Sequence, residues 1–396
     1  MTAGASIAAT CIGAVASIMI ARSLGPVGRG DWAMISSLAT LMGTVGTLGL
    51  PAAGAYAIAR ARAADRPAMA GAALTLAALM ATAVFAVYAL VGIGLRPGTG
   101  SVGVLLMGAV IAGTLLVHAV AQQLLLTAST VRWFALAQLV PNCVMLAVVG
   151  GLAASGHLNL AATVIASAIA TTIGALVAVL VLRRRAASWI RPSRAWAGMR
   201  PYLGYALLSF GVTSLTQITQ RVDILIVGGY LGSRPAGLYA VAAQIGDVLL
   251  VVPAALGFVI FRRGALDMQN HWPDALRMIA LTGGLGVLAA GTVAVFAAPV
   301  VRAVFGAEYL GAVDALRLLL IGIAALGAQG VVSAYVAARG RPRAVFAAWA
   351  TAAVVNIGLN LAVVPDHGIE GAAAVSSLSY MLVLGLHVRP LLAVRA

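Results

Sequence analysis

Leu24-Gly25-Pro26-Val27-Gly28-Arg29-Gly30-Asp31-Trp32-Ala33 and Leu231-Gly232-Ser233-Arg234-Pro235-Ala236-Gly237-Leu238-Tyr239-Ala240 line up at a constant offset of 207 residues. Each is a Gly/Pro turn between a long apolar segment and an aromatic residue at the start of the next. Further along, Arg132 and Phe134 opening one apolar segment match Arg343 and Phe346 opening another, and Gly156 and Ala161 match Gly368 and Ala373, with the offset grown to 211 or 212. The chain therefore reads as two similar halves in parallel orientation, 1–182 and 201–396, joined by a basic linker at 183–200. The first half begins late by this alignment, since Met1 falls opposite Leu208.

What the repeated units are follows from composition. Hydrophobic residues make up 62% of the chain, charged residues only 9%, and the mean hydropathy is +1.04. Apolar stretches able to cross a hydrocarbon core, which takes about 20 helical residues, can be placed near 3–21, 32–58, 69–95, 102–127, 133–154, 160–182, 203–231, 237–261, 276–298, 313–337, 343–364 and 370–388. The expected fold is an all-α polytopic membrane protein of about 12 transmembrane helices in two six-helix bundles.

A formal net charge of +15 would suggest a nucleic-acid partner in a soluble chain, but topology explains it here. All 25 basic residues are arginine, and they cluster in alternate loops: Arg60, Arg62 and Arg66 after the second segment, then Arg132, then the group from Arg183 to Arg200, then Arg262, Arg263 and Arg277, Arg339 to Arg343, and Arg389 with Arg395. The other loops carry Arg22, Arg29, Arg96, Arg234, Arg302 and Arg317. Such asymmetry orients membrane chains with the basic side in the cytoplasm, so both termini are expected there and no nucleic-acid partner is. Cys11 and Cys143 fall inside apolar segments, and no disulfide framework, metal-ligand spacing or cofactor fingerprint is present. Gly283-Gly284-Leu285-Gly286 lies within an apolar segment, where glycines serve close helix packing better than they cradle phosphate.

Against this background Arg221 and Asp223 stand out, because an ionised group at bilayer depth costs several kcal/mol unless something compensates it. At 100° per residue, Asp223, Thr216, Gln220, Thr213, Gln217, Arg221 and Ser214 fall in that order on one half of the 203–231 helix. Leu215, Ile218 and Val222 occupy the other. Residues two apart do not face each other on a helix, so Arg221 and Asp223 each need a partner elsewhere. Counting ten residues back from Leu231 at 1.5 Å each places Arg221 roughly 15 Å from the outer boundary, near the bilayer middle. Its counterparts by the 207 offset are Ala14 and, for Asp223, Ala16.

Asp247 on the following helix, with Gln244 one turn before it and Pro253 beyond, is the best acid to pair with Arg221, and a carboxylate there also offers a group for ion coupling. The two readings of Arg221, a ligand contact and a structural ion pair, are compatible. Together Arg221, Asp223 and Asp247 sum to minus one. That sign suits a cation better than an anion. His118 and Gln122 stand four apart on one face and read as a hydrogen-bonded core pair.

The run Ala21-Arg22-Ser23-Leu24-Gly25-Pro26-Val27-Gly28-Arg29-Gly30, the segment Gln220-Arg221-Val222-Asp223 followed by Gly232 and Gly237-Leu238-Tyr239-Ala240, and Gly340-Arg341-Pro342 through Asn356, Asn360, Pro365, Gly368 and Gly371-Ala372-Ala373 together resemble the Wzx-type polysaccharide flippases. These are the polysaccharide biosynthesis branch of the multidrug/oligosaccharidyl-lipid/polysaccharide exporter superfamily. The resemblance implies a MATE-like scaffold in a bacterial cell membrane that moves a polyprenyl-diphosphate-linked oligosaccharide from the cytoplasmic to the outer leaflet by alternating access. It implies no enzymatic step and no cofactor, with the glycan lipid, the bilayer and polysaccharide assembly proteins as partners, and a monomer as the expected state. Basic residues of a central polar cavity would hold the diphosphate or acidic sugars. Here that role falls to Arg221 with Gln217, Gln220, Asp223, Asp247 and Gln244, and Arg60, Arg62 and Arg262 would line the cytoplasmic mouth. Two alternatives stay open: a multidrug or cation exporter on the same scaffold, which Asp223 and Asp247 favour, and a membrane glycosyltransferase or polymerase.

Overall fold

The computed structural model describes residues 2–62, 65–95, 101–128, 131–185, 203–251, 272–338 and 341–393. Every regular element among them is helical: α1 (Thr2–Val45), α2 (Leu50–Arg60), α3 (Arg66–Leu95), α4 (Val102–Ala128), α5 (Val131–Ala154), α6 (Leu160–Arg185), α7 (Leu203–Leu231), α8 (Ser233–Leu249), α9 (Trp272–Val295), α10 (Ala297–Val304), a 3-10 turn (Ala307–Ala312), α11 (Val313–Ala338) and α12 (Pro342–Ala393). Eight helices among the described residues are long and apolar enough to cross a membrane. The chain is a multi-pass membrane protein.

Eight helices and twelve expected crossings agree once four elements are considered. α1 and α12 run for 44 and 52 residues and are broken at Gly25 and Gly368, and about 20 residues suffice for one crossing. α8 is described for 17 residues, and α7 is diluted by the polar arc that carries Arg221 and Asp223. The expected segment 32–58 is interrupted, however. Gly49 takes φ 81° and Pro51 sits in the first turn of α2, so the chain turns after Val45 and starts a new helix at Leu50. Proline is at home in a first helical turn, where its missing N–H is not needed.

The repeat is visible in the backbone itself. Gly25 has φ 66° and ψ 178°, and Gly232, its counterpart, has φ 87° and ψ −174°. Gly156 and Gly368 share φ of 72° and 62°. Side chains with a Cβ are strained at such angles, so glycine is required at both copies of each joint. The aromatic residues that follow the first joint, Trp32 and Tyr239, are both buried.

The chain separates into two compact units, Met1–Ser23 with Met34–Ser214, and Leu24–Ala33 with Leu215–Ala396. The boundary falls inside α7, and the short stretch after the Gly25 kink belongs with the second unit. Of the 183–200 segment, Arg183 to Arg185 finish α6 and the rest lies outside the described residues, as do Pro253 and Arg262.

In the first unit α4 is the central strut, packed by α2, α3, α5 and α6. Ala109, Ala112, Leu116, Val120 and Leu124 are all fully buried, and their spacing of three and four residues places them along one face. Thr114 donates to Thr171 across to α6 at 2.9 Å, or accepts from it. Pro141 inside α5 fits against Gly174, where an added Cβ would meet its ring at 2.9 Å. His118 makes no bond to Gln122 among the described residues: its Nδ1 is buried without a partner, while its ring engages the Gly174 backbone.

In the second unit α11 packs between α9 and α12. Leu316, Leu319, Leu320 and Ile323 form its buried face. Ser377 of α12 donates to the Leu318 carbonyl at 2.6 Å and accepts from the Gly322 amide at 3.1 Å, so the helices touch where Gly322 leaves room. On α9, Gly283 and Gly286 face Ala328 and Ala324 of α11, whereas Gly284 faces open space. The glycine run is a packing surface.

The stretch after the kink of α1 meets the start of α8 through glycines. A Cβ at Gly30 would coincide with the Ser233 carbonyl oxygen, and one at Gly237 would coincide with the Pro26 carbonyl oxygen. Gly30 and Gly237 are repeat counterparts, and so are Pro26 and Ser233. The contact is therefore reciprocal, each copy's glycine receiving the other copy's carbonyl. Beside it, the Ser233 hydroxyl donates to Asp31.

Candidate functional site

α7 is one continuous helix although its middle is polar, and two of its threonines satisfy their hydroxyls within it. Thr213 and Thr219 donate to the carbonyls four residues earlier, Ser209 and Leu215, at 3.1 and 2.8 Å. The side chains of the polar arc then separate by angle. Two residues subtend 200° on a helix, so Arg221 and Asp223 point about 160° apart.

Asp223 turns into the second unit and is 2% exposed. One oxygen accepts from Tyr239 of α8 at 2.6 Å and from Ser376 of α12 at 3.0 Å, and the other from the Ile224 amide at 2.8 Å. A buried carboxylate with three donors is compensated in the way burial demands. It ties α7 to both neighbours.

Arg221 points the other way and pairs with Asp247 of α8, Nη2 to Oδ2, at 2.8 Å. The ion pair expected from the sequence is present. Its side chains are 29% and 36% exposed, so it is neither sealed in the core nor fully bathed. Gln217, one turn before Arg221, and Gln220, between the directions of Arg221 and Asp223, are half-buried, and neither makes a side-chain hydrogen bond to another described residue. Their amides can serve a ligand.

Gln244 is engaged by an arginine of α1. Its Oε1 accepts from Nη2 of Arg29 at 3.0 Å, a contact spanning 215 residues of sequence. Arg29 is 6% exposed and lies within electrostatic range of Arg221 and Tyr309. Tyr380 of α12, buried, is within range of Arg221, Asp223 and Asp247. Reasoning from sequence missed Arg29, Tyr239, Ser376 and Tyr380. Tyr239 carried a signal as the repeat counterpart of Trp32, and Arg29 reads as a loop residue until the Gly25 kink places it in a helix. With Arg29 included, the formal charges of Arg29, Arg221, Asp223 and Asp247 sum to zero instead of minus one.

Arg60 and Arg62 lie at the end of α2 in the first unit, both exposed, and the Arg60 guanidinium stacks over the Tyr56 ring at 4.1 Å. No cluster of three or more His, Cys, Asp or Glu side chains suited to a metal ion occurs among the described residues. What the site offers is a guanidinium with phosphate-type geometry, a carboxylate that holds it, and free amides beside them.

The same architecture is found in solved transporters. The lipid II flippase MurJ, in an inward closed conformation, superposes with a TM-score of 0.81 at 14% identity, over 99% of this chain and 89% of that one. The inward-facing conformation of a multidrug resistance MATE family transporter of the MOP superfamily gives 0.75 at 14% identity, over 98% and 94%. The outward-facing conformation of such a transporter gives 0.69 at 14%, over 99% and 95%. At these identities the likeness establishes the fold, which is that of MurJ and the MATE transporters. No curated protein matches the chain. The sequence profile of a family described as polysaccharide biosynthesis protein matches residues 1–261. On that match, which covers well over half of the sequence, the chain belongs to the polysaccharide biosynthesis protein family.

Proposed function

We propose that the chain is a flippase that moves a polyprenyl-diphosphate-linked oligosaccharide from the cytoplasmic to the outer leaflet for surface polysaccharide assembly. Family and fold support a transporter of lipid-linked substrates, and the partly exposed Arg221 side chain within a membrane helix carries the choice of an anionic head group. The side chain engages the diphosphate or a sugar acid, Gln217 and Gln220 bond the head group, and the lipid tail stays in the bilayer. Alternating access exposes this face of α7 to each side in turn. Both termini lie in the cytoplasm, and Arg60, Arg62 and Arg262 draw the anion to the mouth. The chain performs no chemical step on its cargo.

The test is translocation of a fluorescent polyprenyl-diphosphate oligosaccharide in proteoliposomes, with Arg221→Ala compared against native protein at matched insertion and folding. Native protein moves the lipid, and the variant loses at least tenfold in rate. Properly oriented native protein that moves no such lipid while exporting small organic cations would replace this reading with the exporter.

A further inference from the structure

Gln244 and Asp247 are one turn apart on α8, which places their side chains next to each other, about 5–6 Å between Cβ atoms. Each holds an arginine from a different helix. Arg29 reaches Gln244 at 3.0 Å and Arg221 reaches Asp247 at 2.8 Å. The two guanidiniums lie within electrostatic range of one another. They differ in exposure: Arg29 is 6% exposed, while the Arg221 and Asp247 side chains are 29% and 36% exposed. An anion that approaches this face therefore meets Arg221 first. Binding it draws Arg221 away from Asp247, and a partly buried carboxylate deprived of its cation counts against the bound state.

We propose that Arg29 is the reserve cation for Asp247: when an anionic head group takes Arg221, Arg29 leaves Gln244, moves one helical turn along α8 and pairs with Asp247. Gln244 is then a resting place, a neutral acceptor that holds the guanidinium one turn from Asp247. A carboxylate there would hold Arg29 too tightly to let it go. The exchange keeps Asp247 compensated in both states. It also makes anion affinity depend on a residue that does not touch the anion. The occasion for the exchange rests on the anionic-substrate reading above, but the exchange itself can be provoked without any substrate.

The first arm of the test is ligand-free melting of purified protein in detergent. In Arg221→Gln and in Arg29→Gln alone, the remaining arginine serves Asp247, so each lowers the midpoint only by its own lost contacts. Together they lower it by clearly more than the sum, and with Asp247→Asn in the background the excess disappears. Additive effects overturn the proposal. Should the double variant fail to purify, Arg29→Lys with Arg221→Gln serves instead, and the proposal requires it to be as stable as Arg221→Gln alone.

The second arm measures binding of inorganic diphosphate by calorimetry. Arg29→Gln weakens binding about tenfold when Asp247 is present and less than twofold when it is Asn. Equal weakening in both backgrounds makes Arg29 a direct contact and overturns the exchange. Native protein that binds no diphosphate yet shows the excess melting loss supports the exchange and removes the anionic-substrate reading instead.

Discussion

Replacing Gly237 by alanine pits two known effects against each other. In the interior of a helix, alanine is favoured over glycine by about 1 kcal/mol. At Gly237 the new methyl would coincide with the Pro26 carbonyl oxygen and press on the Gly30 amide at 3.0 Å. These are backbone atoms, so no rotamer change relieves the clash and the two helices must separate. Overpacking of this kind costs about 1–3 kcal/mol, and rigid backbone on both sides places it toward the upper end. The net loss is about 1–2 kcal/mol. Gly30→Ala behaves alike, because its methyl meets the Ser233 carbonyl in the reciprocal position. Gly284→Ala in α9 is the control: nothing lies within 4 Å of its added Cβ, so the propensity gain of about 0.5–1 kcal/mol is uncovered. Thermal unfolding of the purified variants in one detergent, followed by intrinsic fluorescence, should place Gly237→Ala and Gly30→Ala below native and Gly284→Ala at or above it. If Gly237→Ala melts together with Gly284→Ala, the reciprocal contact does not exist and the reasoning fails.

Two further predictions concern the same molecule. Tyr239→Phe keeps the ring and removes the hydroxyl that donates to Asp223 at 2.6 Å, so it should cost about 1.5–3 kcal/mol, the range for a hydrogen bond to a charged group. An unchanged melting midpoint would show that Asp223 does not hold α8. Cys11 and Cys143 are free and exposed on apolar helices. In intact membranes they should resist a charged maleimide and label only after denaturation, because a thiol facing lipid stays protonated and out of the reagent's reach, and rapid labelling in intact membranes would mean that these faces meet water.

The architecture was legible in the sequence because lipid imposes a simple rule, long apolar segments with satisfied backbones, and because the repeat left its glycines behind. Gly25 and Gly232, or Gly156 and Gly368, stand out as pairs whose function is a backbone angle, and such pairs survive changes everywhere around them. The break between α1 and α2 is harder to read. Gly46, Gly49 and Pro51 sit in a stretch apolar enough to pass for one crossing, and hydropathy does not register φ. Of the site, the Arg221 and Asp247 pair follows from charge in an apolar setting. The partners of Asp223 do not, since Ser376 is 153 residues distant and serine is common in these helices. Arg29 is concealed in a different way. Its neighbours Pro26, Gly28 and Gly30 give it the look of a turn, and only the packing of two glycines brings it against Gln244.

The polar arc of α7 also has a consequence for how the protein is made. On the insertion scale an Arg or Asp at the centre of a helix costs about 2.5–3.5 kcal/mol, so α7 leaving the ribosome bears two such penalties at once. Relief comes in instalments. The hydroxyl of Tyr239 is synthesised 16 residues after Asp223, and Asp247 follows 26 residues after Arg221, so both arrive with α8. Ser376 comes only with the last helix. α7 and α8 should therefore enter the bilayer as a hairpin, with α7 waiting at the translocon for its neighbour. A ribosome stalled between them would leave the nascent chain with its seventh helix uninserted.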